Sequence, residues 1–354
     1  MPQIEDIIFL GAGASASEGA PLQGALFRDY FQLSQSTPEE THQAMNERLS
    51  LFFSCFFRIN TQNDDLNNIE FPTFEECLGI LELALNRQES FKGFSLTPDK
   101  PDIQRLREDL IFLIAIILNN KLRMTTHYHR DLITRLKNER KLLKTAFISS
   151  NYDILIDNAL IDLYEDFDLD YSVEFTNFSR EQNWARPRKS RAVKLFKIHG
   201  SLNWLYCPTC ISLMLTPKEK KVASLVFAPQ PCPSCHSNMV PIVIPPSFFK
   251  VMSNFFLQEI WRQTEVSLKQ AKRIFFCGYS FPDADIHIKY LLKRAEMSHV
   301  TSPEVYVINH YEGKLDSVSR IEESRYKRFF KNDEKVYYTT LSFQDFCLRG
   351  TDFS

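Results

Sequence analysis

The sequence predicts an α/β fold in which a Rossmann-like parallel sheet carries helices on both faces, a helical insertion and a small module built around cysteines. Three observations predict it. An apolar strand over residues 6–10 runs directly into a glycine-rich segment. Further apolar strands alternate with helical patterns in the second half of the chain. Two Cys-x-x-Cys pairs, Cys207/Cys210 and Cys232/Cys235, lie between two of those strands.

Composition and charge narrow the class of protein. A length of 354 residues predicts roughly two domains, and 42 basic against 44 acidic side chains leave no global field that attracts nucleic acid or a membrane. The longest apolar run, residues 110–118, is shorter than the ~20 residues that a membrane-spanning helix needs. The first residues lack the pattern of an export signal. We therefore expect a cytoplasmic protein with reduced cysteines and without membrane or direct nucleic-acid contacts.

The elements follow one another in a regular order. The strand at 6–10 leads into a glycine-rich turn at 11–21 and a helix over 22–33. Residues 39–130 show apolar side chains at helical spacing, which predicts a helical insertion packed on the sheet. Later strands are predicted at 145–150, 194–198, 241–244, 273–278 and 304–309, and helices at 153–164, 254–271 and 285–295.

These elements divide the chain into three parts. Residues 1–38, 131–200 and 241–354 are predicted to form the Rossmann-like domain, residues 39–130 the helical insertion, and residues 201–240 the cysteine-bearing module. Most of the predicted strands are apolar on both faces, which is typical of a parallel sheet covered by helices. We find no internal repeat and no low-complexity segment that would indicate another architecture.

The glycine-rich segment has the pattern of a phosphate-binding turn. Gly11 permits a tight turn after the strand, and Gly13 lets the backbone approach a pyrophosphate. Ala12, Ala14 and Ser15 complete the loop, and the N–H groups of the helix that follows would face the phosphates. Because the motif follows a strand and opens a helix, we expect phosphate binding. A merely tight strand-to-helix turn is the alternative.

The paired cysteines Cys207, Cys210, Cys232 and Cys235 are the expected ligands of a zinc ion, because each Cys-Pro-x-Cys turn directs two sulfurs toward one metal. Four thiolates fill a tetrahedral shell and leave no position for an activated water, so the zinc is expected to be structural. Four unrelated free thiols are the alternative. The other cysteines lie in apolar contexts, where we expect them to pack as small hydrophobic side chains: Cys55, Cys77, Cys277 and Cys347.

Polar residues follow several predicted strands, at the edge where open α/β sheets place their ligands. Asn151 and Asp153 offer hydrogen-bond donors and acceptors, although capping of the next helix would also explain them. His199 is a candidate general base because histidine titrates near neutral pH, although a lone histidine is more often structural. The same crevice would contain three further residues: Gly278, Ser280 and Asn309.

One basic run, residues 186–191, stands apart from these motifs. A run of this kind contacts nucleic acid or phosphates in some proteins. Isolated charge runs are more often solvated loops, and a solvated loop is the interpretation that we adopt here.

Taken in order, the motifs resemble those of the sirtuin family. The order is a Gly-Ala-Gly-Ala-Ser loop, an Asn-x-Asp element, His-Gly, two Cys-x-x-Cys pairs, Gly-x-Ser and an asparagine that ends a strand. The resemblance runs from Ile7 to Asn309 and is weakest across the insertion at 39–130. It implies a Rossmann-type domain and a smaller zinc module, with NAD+ in the crevice between them.

The resemblance also implies roles for single residues. Asn151 and His199 would be catalytic, with His199 acting as the general base on the ribose hydroxyls of NAD+. Asp153 would contact the nicotinamide ribose together with Asn151. The phosphates and the remaining ribose would be held by Gly11, Ala12, Gly13, Ala14, Ser15, Gly278, Ser280 and Asn309, and the zinc by Cys207, Cys210, Cys232 and Cys235.

Three segments depart from the pattern of the sirtuin deacylases. Those enzymes usually carry Gly-Ile-Pro-Asp-Phe-Arg after the glycine loop, where residues 19–24 are Gly-Ala-Pro-Leu-Gln-Gly. Their acyl-lysine channel uses a Val-Phe-Gly-Glu-like segment, which at 244–248 is Ile-Pro-Pro-Ser-Phe, and their Gln-Asn-Ile-Asp element is Ser-Asn-Tyr-Asp at 150–153. These features are more similar to the sirtuin-like NAD+ hydrolases of bacterial antiphage defence systems.

The resemblance therefore implies an NAD+ glycohydrolase that releases nicotinamide and ADP-ribose and, as an antiphage effector, depletes cellular NAD+. An NAD-dependent protein deacylase and a non-catalytic NAD or ADP-ribose sensor are the alternatives. Because an unrestrained hydrolase would kill its own cell, we expect control by assembly. The assembly would be a homo-oligomer or a complex with a regulatory partner such as a HerA-type ATPase.

Overall fold

The computed structural model describes most of the chain. The described residues are 3–38, 42–62, 65–97, 102–122, 127–162, 166–177, 185–216, 230–243, 254–283, 285–299, 301–310, 316–339 and 341–349. The segment 244–248, where the sequence departs from the deacylase pattern, lies outside these residues, as does the end of the helix predicted at 153–164.

Seven strands form one parallel sheet, which confirms the predicted fold class. They are β1 (Asp6–Leu10), β2 (Thr145–Ser149), β3 (Asp168–Asp170), β4 (Ala192–Lys197), β8 (Arg273–Cys277), β9 (Glu304–Ile308) and β10 (Val336–Thr339). Their order is β10-β9-β8-β1-β2-β4-β3. Every residue of β1 and β2 is buried, so both faces of the sheet centre are covered. Because β1 pairs with β2 on one side and β8 on the other, the strand order reverses around β1, which creates a crevice at its carboxyl end.

A second, three-stranded sheet corrects one prediction. The strand predicted at 241–244 is not part of the parallel sheet: β7 (Val240–Val243) pairs in antiparallel fashion with β5 (Gly200–Cys207). The other neighbour of β5 is β6 (Ser212–Leu215). A short apolar run has the same appearance in either kind of sheet, so periodicity alone did not separate the two. The sheet also extends slightly beyond the predicted module at 201–240, from Gly200 to Val243.

Two edge strands of the large sheet, β3 and β10, were not predicted because they are only partly buried. The three residues of β3 are all half-buried, and β10 is buried only at its first position. Edge strands of this kind lack the continuous apolar run that identifies the central strands of a parallel sheet.

The first two helices begin and end at residues other than those predicted. A five-residue helix, α1 (Ala12–Ala16), lies inside the predicted glycine turn, and the helix predicted at 22–33 is α2 (Leu26–Ser36). Gly19, between them, has a positive φ of 95°, a backbone conformation that glycine adopts without strain. The predicted insertion contains α3 (Gln43–Phe57), α4 (Phe74–Arg87) and α5 (Ile103–Lys121).

Three later helices confirm the predicted alternation to within a few residues: α7 (Leu155–Ile161), Phe255–Leu268 and Ile286–Met297. Three more helices were not predicted from the sequence: α6 (Tyr128–Asn138), Asp316–Phe329 and Phe343–Arg349. None of the described helices is both long and apolar enough to cross a bilayer.

Two large hydrophobic clusters divide the interior. One surrounds the parallel sheet, and the other is formed by α3, α4 and α5 together with α2. Phe27, Tyr30 and Phe31 of α2 are buried in the second cluster, so the helix that the sequence assigned to the sheet domain packs with the insertion instead. Of the described residues beyond 130, Leu202 and Tyr152 join that cluster. The insertion therefore meets the sheet at the carboxyl ends of the strands.

Candidate functional site

A cleft of about 410 Å³ opens at the carboxyl ends of the central strands. One wall consists of residues that follow β1, β2, β4 and β8, and the other comes from the insertion helices α4 and α5 and the segment before α2. Among the predicted site residues, the cleft is lined by Ala12, Ser15, Asn151, Asp153, His199, Gly278 and Ser280. The backbone of Gly11, Gly13 and Ala14 lies behind this wall, and Asn309 does not line the cleft.

The glycine loop packs directly against the turn that follows β8. The Gly13 N–H donates to the Gly278 carbonyl oxygen over 2.8 Å, and Gly278 has a positive φ of 63°. A Cβ atom on Gly278 would lie 2.0 Å from the Ala14 nitrogen, and one on Gly11 would lie 2.5 Å from the Gly278 oxygen. The structure therefore gives these glycines a role in loop-to-loop contact, in addition to the predicted approach of a phosphate.

Asn151 and Asp153 hold the glycine loop in place. The Asn151 amide nitrogen donates to the Gly11 carbonyl oxygen and to the Ser15 hydroxyl, both over 2.8 Å. The Ser15 hydroxyl in turn donates to Asp153 Oδ2 over 2.7 Å. Asp153 Oδ1 accepts the Leu155 N–H, at the first residue of α7, over 3.1 Å, whereas the N-cap residue of that helix is Ile154. This network fixes the Asn151 amide with its oxygen directed away from the Gly11 carbonyl.

His199 lies on the same wall, immediately after β4. Its side chain is buried, and Nδ1 lies 3.2 Å from the Ser150 carbonyl oxygen. Because a carbonyl oxygen only accepts, Nδ1 carries the proton, and Nε2 is the basic atom of the neutral ring. The neighbouring Ile198 carbonyl oxygen accepts the indole N–H of Trp261 over 2.8 Å. The ring orientation is therefore supported from both the strand and a helix of the sheet domain.

The insertion supplies a mostly apolar wall opposite these polar groups. Phe74, Ile114 and Leu118 line it, and Glu75 in the first turn of α4 adds one carboxylate. Helix α4 begins at this point because Thr73 caps it, accepting the Glu76 N–H over 3.1 Å. Periodicity predicted the helices of the insertion, but it did not show which helical face borders the cleft.

A second carboxylate that sequence reasoning missed is Asp285. It is buried, it lines the cleft, and it accepts the Tyr279 hydroxyl over 2.7 Å. Burial raises the pKa of the Tyr152 hydroxyl well above its ordinary value, with smaller contributions from Glu75 and Asp285. Burial, followed by the charge of Asp285, likewise raises the pKa of Tyr279 well above its ordinary value, so both tyrosine hydroxyls keep their protons at physiological pH. The described lining residues include Glu75, Asp153 and Asp285 but no lysine or arginine.

Asn309 has a different place from the one that the resemblance implied. It is buried, and its amide nitrogen donates to the Tyr279 carbonyl oxygen over 3.0 Å and to Glu322 Oε1. The Tyr326 hydroxyl donates to the same Tyr279 oxygen over 2.7 Å. In this structure Asn309 thus stabilises the turn that carries Gly278 and Ser280, because its amide is directed into the protein and not into the cleft.

The four paired cysteines converge on one point outside the cleft. Their sulfur atoms all lie within 4.8 Å of one another, with Cys207 and Cys235 separated by 3.5 Å and Cys210 and Cys232 by 3.8 Å. Bonds of about 2.3 Å to a tetrahedral zinc ion would separate the sulfurs by about 3.8 Å, so the cluster is compatible with zinc. Because all four ligands would be sulfur, a zinc ion held here would be structural.

A known protein family and several solved structures are similar to this chain. A family model described as a SIR2-like domain matches residues 145–338, more than half of the chain. No curated protein matches the chain. Among solved structures, a Sir2 protein in complex with an inhibitor, 2′-O-acetyl-ADP-ribose and a deacetylated p53 peptide is 14% identical, with 98% of this chain and 91% of that chain covered and a TM-score of 0.39. A Sir2–p53 peptide–NAD+ complex is 11% identical, with 98% and 92% covered and a TM-score of 0.43. On the family match, the chain belongs to the SIR2-like family.

Proposed function

We propose that this protein is an NAD+ hydrolase that cleaves NAD+ to nicotinamide and ADP-ribose. Membership of the SIR2-like family supports an NAD-dependent activity in general. The observation that carries the narrower proposal is the cleft, where Asn151 and His199 lie on one wall with Ser15, Gly278 and Ser280. The glycine-loop side would hold the phosphates, and the Asn151–His199 side would receive the nicotinamide ribose.

The chemistry requires little more than positioning and charge stabilisation. The bond between ribose and nicotinamide is already activated by the positive charge of the leaving group, and its cleavage passes through an oxocarbenium-like state. His199 would withdraw a proton from a ribose hydroxyl through Nε2, and Asn151 would orient the attacking water or the ribose. Water adds to the ribose carbon as nicotinamide leaves, so the products are ADP-ribose, nicotinamide and a proton.

The charges in the cleft support cleavage of a cationic substrate. The carboxylates of Glu75, Asp153 and Asp285 line a cleft whose described walls contain no lysine or arginine. Negative groups at this place favour the positive charge that the nicotinamide ring carries before cleavage and that the ribose develops during it. The same carboxylates would oppose the binding of an additional phosphate at the nicotinamide end of the cleft.

The opposite wall favours hydrolysis over deacylation. Phe74, Ile114 and Leu118 of the insertion cover the side of the cleft that faces Asn151 and His199. The sequence at 19–24 also lacks the phenylalanine and arginine that deacylases usually carry after the glycine loop. A protein deacylase, in which an acyl-lysine oxygen replaces water, and a non-catalytic NAD or ADP-ribose sensor are the competing functions.

The wider role and partners are part of the same proposal. The cysteine cluster would hold a structural zinc ion that braces the three-stranded sheet. We propose the domain division into 1–38, 131–200 and 241–354, 39–130, and 201–240, with two adjustments. Helix α2 packs on the insertion, and the three-stranded sheet spans Gly200–Val243. We propose a cytoplasmic antiphage effector that is controlled by homo-oligomerisation or by a HerA-type ATPase. The resemblance of residues 19–24, 150–153 and 244–248 to the antiphage NAD+ hydrolases is what supports this role.

Incubation of the purified protein with NAD+ alone, and with NAD+ plus an acetyl-lysine peptide, separates the three functions. We expect nicotinamide and ADP-ribose to appear at the same rate in both mixtures. Release that requires the peptide would establish the deacylase. Binding of NAD+ by calorimetry without release in either mixture, including at high protein concentration where assembly is favoured, would leave the sensor.

A further inference from the structure

A buried ion pair, formed by Lys197 and Asp157, adjoins the wall of the cleft that carries Asn151 and His199. The ammonium group of Lys197, the last residue of β4, lies 3.4 Å from Asp157 Oδ2, and both side chains are 0% exposed. Asp157 belongs to α7, the helix that follows the Asn151–Asp153 turn. Taking two charges fully out of water is costly, and a well-packed apolar pair is often as stable as a buried ion pair. Stability alone therefore gives a weak reason for placing a charged pair here.

The contacts of the pair give a stronger reason. Lys197 Nζ also donates to the backbone carbonyl oxygen of Asp153, two residues after Asn151. Along its own strand, Lys197 lies two residues before His199. One ammonium group therefore joins the segment that carries Asn151 to the segment that carries His199, across two neighbouring strands of the sheet.

A second layer holds the carboxylate of the pair. The Tyr171 hydroxyl donates to Asp157 Oδ1, and the Tyr171 ring packs edge-on against Trp204, with ring centroids 5.2 Å apart. Burial, followed by the charge of Asp157, raises the pKa of Tyr171 well above its ordinary value, so the hydroxyl keeps its proton. Both carboxylate oxygens of Asp157 thus have partners, and the ammonium group is held from a fixed direction.

We propose that Lys197, oriented by Asp157 and Tyr171, is a positioning residue that sets the separation between Asn151 and His199 at the nicotinamide ribose. The inference rests on the proposed NAD+ hydrolysis. Lys197 itself is fully buried and does not line the cleft, so it acts through the Asp153 carbonyl and the strand end. Displacement of a catalytic group by about 1 Å lowers rates by about 100-fold, which makes this separation a sensitive quantity.

The decisive variant replaces the pair with apolar side chains of similar volume, Lys197→Met together with Asp157→Leu. We expect a melting temperature close to that of the native protein, because an apolar pair of similar volume replaces the buried ion pair. We expect a KM for NAD+ within about threefold, because neither substituted side chain lines the cleft. We expect kcat to fall by about 100-fold. Lys194→Met, on the same strand and outside the cleft, is the matched control and keeps native kcat. A double variant that is folded and retains native kcat would overturn the proposal.

Two further measurements apply if the double variant does not fold or if the native protein is inactive. If the double variant does not fold, Tyr171→Phe removes one hydrogen bond to Asp157 and leaves the pair in place. It should lower kcat about tenfold at unchanged KM, and an unchanged kcat would contradict the proposal. If the native protein proves inactive, the proposed hydrolysis fails separately. In that case NMR of the imidazole nitrogens of His199 tests whether Lys197 positions this ring. Their signals should shift in Lys197→Met/Asp157→Leu and in Tyr171→Phe, and not in Lys194→Met; unshifted signals in all of these variants would contradict the proposal.

Discussion

The two walls of the cleft are built in different ways. On the sheet wall, Asn151 and Ser15 are held by hydrogen bonds of 2.8 Å or less, and the backbones of Gly13 and Gly278 touch. The insertion wall consists mostly of apolar side chains that belong to a separate hydrophobic cluster, and Glu75 adds one carboxylate. Of the described residues beyond 130, Tyr152 and Leu202 connect that cluster to the strand ends.

The two walls differ in how many substitutions they tolerate. A network in which each polar group has a defined partner permits few substitutions, because one lost contact leaves a buried group unpaired. An apolar wall with its own core tolerates change of shape, provided that its volume is kept. On the proposed NAD+ hydrolysis, we therefore expect the sheet wall to carry the groups that cleave the bond. We expect the insertion wall to select the substrate and to add the charge of Glu75.

Among the variants that test the difference between the two walls, Gly278→Ala is expected to have the largest effect. The new Cβ would lie 2.0 Å from the Ala14 nitrogen at a φ of 63°, so the two loops must separate. We expect a loss of more than about 3 kcal/mol of unfolding free energy and no detectable nicotinamide release. Gly24→Ala is the control for stability, because no atom lies within 4 Å of its new Cβ on the insertion side. Equal melting temperatures for the two variants would contradict the tight loop contact.

A smaller effect is expected from Glu75→Gln on the insertion wall. Glu75 lines the cleft, whereas Glu76 in the same helical turn is exposed and does not. Loss of one negative charge near the developing oxocarbenium should lower kcat about tenfold, equivalent to about 1.4 kcal/mol of transition-state stabilisation. Steady-state kinetics of Glu75→Gln beside Glu76→Gln measures this directly. If both variants had native kcat, the insertion wall would contribute shape and no charge.

Much of the sheet wall could be predicted from the sequence, because each residue follows a recognisable strand. Gly11, Asn151, His199 and Gly278 all lie at carboxyl ends of parallel strands, and strand topology brings such ends together whatever the intervening chain length. The predicted convergence of Asn151 and His199 on one cleft is what the structure has.

The remaining features depend on information that a single sequence does not carry. Glu75 reaches the cleft through the rotation of α4, which apolar spacing defines only coarsely. Asp285 reaches it as the N-cap residue of the helix Ile286–Met297, whose exact start the sequence does not define. Asn309 ends a strand as predicted, but its amide is directed toward Glu322, a partner contributed by a helix beyond the recognised motifs. Lys197 had the appearance of an ordinary polar residue in a strand, and only its pairing with Asp157 gives it a role.

The central claim is that Asn151 and His199 cleave NAD+ on a wall that other residues hold in place. It is tested most directly by measuring nicotinamide release and NAD+ affinity together in Asn151→Ala and His199→Ala, with the exposed His127→Ala as control. We predict that both cleft variants lose at least about 100-fold in kcat, that His199→Ala still binds NAD+, and that His127→Ala matches the native protein. Native turnover in either cleft variant would contradict the account.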